Sequence, residues 1–101
     1  MPPPAVSEFA DDDAAYLDWI AANPGGFVVN TPRAMPATSM ILHRATCRSI
    51  SALQPQAGVG GFTERDYIKI CAAEIGDLRE WAARHGRPDG TFTGACPCQP
   101  A

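Results

Sequence analysis

Ten prolines and nine glycines interrupt a chain of only 101 residues, so no helix or strand can run far before it meets a breaker. Two firm stops stand out, Asn23-Pro24-Gly25-Gly26 and Gly86 with Pro88, and each places its glycine and proline where helices end. What remains is a set of short segments. A chain of this length makes about one small domain. Its hydrophobic fraction of 46% permits a packed core, but a small one, and small cores often gain stability from a metal, a disulfide or a partner.

Helical spacing precedes each stop. Asp11 to Asp13 supply carboxylates for free amides at a helix start, and Ala14, Leu17, Ile20 and Ala21 follow as a stripe flanked by Tyr16 and Trp19. A second helix is predicted from Ala73 to His85, with Ile75, Leu78, Trp81 and Ala82 as its apolar face and Glu80 to Arg84 as a supporting pair. Between them lie three strand candidates: Phe27 to Asn30, Met40 to His43, and Tyr67 to Cys71. The first two are placed to pair antiparallel across the loop "TPRAMPATS". The "GVGG" of the 51–63 loop lacks both the Lys-Ser/Thr of a phosphate cradle and the spacing of a dinucleotide turn. The predicted fold is α+β, a small three-stranded antiparallel sheet with two helices on one face. Residues 1–10 are expected to be a disordered tail and 11–101 a single domain.

The net charge of −3 makes no general case for nucleic acid. Residues 1–18 carry Glu8, Asp11, Asp12, Asp13 and Asp18 without a basic residue, and all eight Lys and Arg lie beyond them. "MPPPAVSEFADDD" has neither a basic start nor an apolar run, so it predicts no signal peptide and no membrane anchor. The expected compartment is the cytoplasm, where cysteines stay reduced and clustered ones bind metal more often than they form disulfides.

His43 and Cys47 stand four apart in "HRATC", and Cys96 and Cys98 close the chain in "CPC". Zinc takes four such ligands tetrahedrally. One turn of chain can aim His43 and Cys47 at one point, with Cys96 and Cys98 completing the set and tying down the C-terminal tail. Cys71 is a substitute fourth ligand, or equally a small buried hydrophobe. The rival readings are four reduced cysteines without a metal, and a redox-active Cys96/Cys98 pair.

"LHRATCRSI", a helix of the "EIGDLREWAARHG" kind and a terminal "CPCQP" resemble the small zinc-binding module of Ada-type DNA-repair regulators and of some bacterial nuclease tails, H-x3-C … C-x2-C-x-P. The match spans residues 40–100, and this chain has C-x-C where the module has C-x2-C. The resemblance implies a structural zinc on His43, Cys47, Cys96 and Cys98, with Pro100 closing the motif, in a nucleic-acid-handling neighbourhood.

The function expected from these residues is that of a zinc-binding accessory or adaptor module. Arg33, Arg44, Arg48 and Lys69 are its candidate nucleic-acid contacts. A metal-free protein-interaction domain, using the acidic N-terminal segment or the 52–63 loop, is the alternative from another class. A thiol or metal-dependent enzyme stands third, since no catalytic constellation is evident.

Overall fold

The computed structural model describes residues 5–51, 62–64 and 66–95. Their order is β1 (Ser7–Phe9), α1 (Asp13–Ala22), β2 (Phe27–Pro32), β3 (Ile41–Arg44), the one-turn α2 (Arg48–Ser51), β4 (Tyr67–Ala72), α3 (Ile75–Arg84) and β5 (Gly94–Ala95). The strands form one sheet in the order β1-β4-β2-β3-β5. Neighbours are antiparallel except β3 and β5, which run parallel.

The class is α+β, as expected, but the sheet is not the expected three-stranded antiparallel one. It is five-stranded and mixed. The three expected strands are β2, β3 and β4, and each outer one has gained a short neighbour. Ser7–Phe9, placed by sequence in a loose tail, pairs with Lys69 to Cys71. Gly94–Ala95 lies against Ile41 and Leu42, held by the backbone N–H of Thr93 donating to the Met40 carbonyl.

The helices also lie on opposite faces, not on one. Side chains alternate along a strand, so Val29, Ile68, Ile70 and Ala72 face α3 and its Leu78, Trp81 and Ala82. Val28 and Cys71 face α1, packing with Tyr16, Ile20, Ile50 and Phe62. Both Val28 and Val29 are fully buried, and adjacent buried residues in a strand require cover on both sides.

Local chemistry sets the ends of the helices. The Asp12 side chain accepts from the Ala15 amide and caps α1, and the Asn23 amide donates to the Trp19 carbonyl at its other end. Gly26 lets the chain leave beneath Trp19, for a Cβ there would sit 2.8 Å from the indole Cη2. α3 closes on Gly86 at φ +101, with the Arg87 amide donating to the Ala82 carbonyl, the bond that satisfies a carbonyl of the last turn. Among the described residues no helix is long and apolar enough to cross a membrane.

Candidate functional site

The end of β3 and the start of α2 bring His43 and Cys47 together. Both are buried, and His43 Nδ1 lies 3.5 Å from Cys47 Sγ. The chain turns between them because the Cys47 amide donates to the Arg44 carbonyl. Cys47 is disulfide-bonded. Burial, with Lys69 nearby, depresses the His43 pKa to about 4.

A zinc site finds no support among the described residues. Among the described residues no three His, Cys, Asp or Glu side chains are grouped to hold a metal ion. Cys71 shares the sheet face of His43. Val28 pairs with each of them from either side, which sets them roughly 10 Å apart at the backbone. Cys71 is fully buried and burial raises its thiol pKa, so it is a packing residue. Cys96, Cys98, Pro100 and most of the 52–63 loop lie outside the described residues.

The four basic candidates do not form one surface. Lys69 is in the interior, 4% exposed. Its Nζ donates to Asn30 Oδ1 at 2.8 Å and to the Phe62 carbonyl at 2.7 Å, and it stands 5.9 Å from the centre of the Tyr16 ring. Burial lowers its pKa to about 8, against the pull of Asp13 and Cys71. Arg33 grips Asp11 through both guanidinium nitrogens and donates to the Thr63 carbonyl. That leaves Arg44 and Arg48 exposed near the β3–α2 turn.

The polar groups around Lys69 tie α1 to the segment before β4. Asp13 Oδ1 accepts from the Thr63 amide and hydroxyl, both at 2.7 Å, while Thr63 Oγ1 accepts from the Asp12 amide. The Tyr16 hydroxyl donates to the Ile50 carbonyl at 2.6 Å. Every one of these groups has its partner.

A different arrangement exists on the α3 face, at the margin of the sheet. α3 packs over β4 and β2, and β1 lies outboard of β4 with a sheet neighbour on one side only among the described strands. Between β1 and α3 runs an open groove of about 440 Å³. Ala5, Val6 and Glu8 form its strand wall, and α3 supplies Asp77, Glu80, Trp81, Arg84 and His85. Arg84 is paired with Glu80; Glu8 and Asp77 have no ion-pair partner among the described residues.

Trp81 and His85, one helical turn apart, stack with ring centres 4.5 Å apart. His85 Nδ1 lies 2.7 Å from the Trp81 carbonyl. A carbonyl only accepts, so Nδ1 carries the proton and Nε2 is left as an acceptor when the ring is neutral. Trp81 is 6% exposed, and its Nε1–H is the one buried side-chain polar group without a hydrogen bond among the described residues. Buried donors are almost always satisfied.

Sequence reasoning placed Trp81 in the core and His85 at the helix end, and it missed the groove. The i,i+4 spacing of the two rings was visible; the arrival of residues 5–8 beside them was not. No family model, curated protein or solved structure matches the chain, so the resemblance to the Ada-like module rests on its quoted residues alone.

Proposed function

We propose that this domain is a polypeptide-binding module that takes an extended segment of a partner protein alongside β1, over the groove to α3. The observation that carries this reading is a strand edge with no neighbour among the described strands, lying beside a helix across a groove lined by Trp81. In strand addition the free amides and carbonyls of an edge strand supply affinity, and alternate side chains of the ligand enter pockets beside it. β1 has three residues and spans only about 10 Å, so side-chain contacts in the groove must supply much of the binding. The role remains that of an accessory or adaptor domain.

Selection of displayed random peptides on the full chain, followed by amide shift mapping, tests the reading. Selected peptides should shift the amides of Ser7 to Phe9 and the Trp81 indole N–H together. Failure to enrich any peptide, or shifts gathered instead around Arg44 and Arg48, would remove it.

A further inference from the structure

The walls of the groove are not electrically balanced. They present three carboxylates, Glu8, Asp77 and Glu80, against one guanidinium, Arg84. Arg84 is already taken by Glu80, and His85 is an acceptor when neutral. Two carboxylates, one on each wall, therefore face the same space without a counter-charge. The apolar part of the lining is Ala5, Val6 and the Trp81 ring. The one buried side-chain polar atom of that lining without a hydrogen bond among the described residues is Trp81 Nε1, a donor.

We infer that the partner of this groove is a basic–apolar extended segment, in which an apolar side chain seated on Val6 and Trp81 is followed two residues on by a Lys or Arg that meets Glu8 and Asp77. The inference rests on the strand-addition reading and specifies its ligand. The spacing of two follows from strand geometry, because only alternate side chains of an added strand point to one face, roughly 7 Å apart. Glu8 on β1 and Val6, in the residues just before it, themselves stand two apart, so ligand and wall share that period. Acidic segments are repelled by the same two carboxylates.

Four capped eight-residue peptides and the full chain, labelled with ¹⁵N, form the test. The first places Leu and Lys in turn at every second position, with Ser between them (Leu-Ser-Lys-Ser, twice), so that both lie on one strand face. In the second Gln replaces Lys, in the third Glu replaces it, and the fourth has the composition of the first in blocks that set each Lys directly after its Leu (Leu-Lys-Ser-Ser, twice), on the opposite face. The Trp81 indole N–H is the readout and the Trp19 indole is the internal control, since Trp19 packs with the α1-side core. The alternating Lys peptide should bind about three- to tenfold tighter than the Gln peptide, the range that one or two partly exposed ion pairs supply. That margin should shrink as salt is raised from low to physiological strength, and the E8Q variant should bring the Lys peptide toward the Gln affinity.

Equal affinity of the Lys, Gln and Glu peptides, with shifts at β1 and Trp81, would overturn the inference and leave the strand-addition reading standing. Equal affinity of the alternating and blocked Lys peptides would do the same by removing the spacing. No shift at β1 or Trp81 with any of the four overturns the inference, and the selection experiment then decides the broader reading. Concentration-dependent dimerisation of the free protein through β1, seen by light scattering and by the same amides, would make a second copy the occupant and overturn the inference in favour of self-pairing.

Discussion

The two faces of the sheet treat polar groups in opposite ways. Under α1, a lysine, an aspartate, a threonine and a tyrosine are drawn inside, and each finds a partner at 2.6 to 2.8 Å. Beside α3, one indole N–H is buried with no hydrogen-bond partner among the described residues, and two carboxylates line a groove with no ion-pair partner among them. A saturated network is what a fold needs for itself, because an unpaired buried group costs about 1–3 kcal/mol. An unsaturated set next to an open strand edge is what remains for another molecule. The presence of charge is thus a poor guide to function here, and the bookkeeping of its partners is a better one.

If the α1 face is structural, its disruption should dominate stability. Lys69→Ala leaves Asn30 Oδ1 and the Phe62 carbonyl without their donor and opens a void, and it should cost about 3 kcal/mol or more in urea unfolding.

The next effect is pH dependence. His43 titrates near 4 when folded and near 6.5 when unfolded, so the unfolded chain gains its proton first. Stability should therefore fall as pH drops from about 6.5 to 4, by up to about 3 kcal/mol, and the loss is complete below the folded value. His43→Gln should flatten that arm of the urea midpoint curve. On the alkaline side Lys69 is neutral above about 8 when folded but only above 10.5 when unfolded, so stability rises from pH 8. Cys71 and Tyr16, whose burial raises their values from 9.0 and 10.0, act the other way once the unfolded chain can ionise them. The midpoint should peak near pH 9 and the rise should vanish in Lys69→Met.

A pair of aromatic substitutions sharpens the contrast further. Tyr16→Phe removes the donor to the Ile50 carbonyl and should cost about 1–2 kcal/mol. Trp81→Phe removes a donor that has no acceptor to lose, so only the packing change registers, about 1 kcal/mol or less. Its larger effect should be on peptide affinity, measured by titration. A Trp81→Phe variant that unfolds as readily as Lys69→Ala would erase the distinction between the faces.

Much of the framework was legible in the sequence because local chemistry dictates it. The acidic run ending at Asp13 caps α1, Asn23-Pro24-Gly25-Gly26 ends it, and Gly86 closes α3. The runs beginning at Phe27, Ile41 and Tyr67 are strands because β-branched and aromatic residues cluster there. β1 and β5 were not legible, since three- and two-residue strands are too short to show a period and exist only because β4 and β3 offer them an edge. The opposite placement of the helices did leave a signal. Val28-Val29 and the buried run Ile68 to Ala72 mark strands covered twice, and a lysine inside that run disguised it as a half-exposed one. The groove left almost none, because its walls come from residues 5–8 and 77–85 and meet only after β1 has joined the sheet. The spacing of His43 and Cys47 did signal that the two side chains would meet.

The pairing of β1 with β4 also has a consequence in time. Ser7 is partnered by Cys71, so the first strand must wait for a stretch roughly sixty residues downstream, and contacts of such range close slowly. During synthesis, Val6 and Phe9 emerge early and have no sheet to join until β4 has left the ribosome. The binding edge therefore forms only once β4 is in place, and it should be the first to let go: slow hydrogen exchange at β2 and β4, with fast exchange at Ser7 to Phe9, would mark a recognition strand that is continually offered and withdrawn.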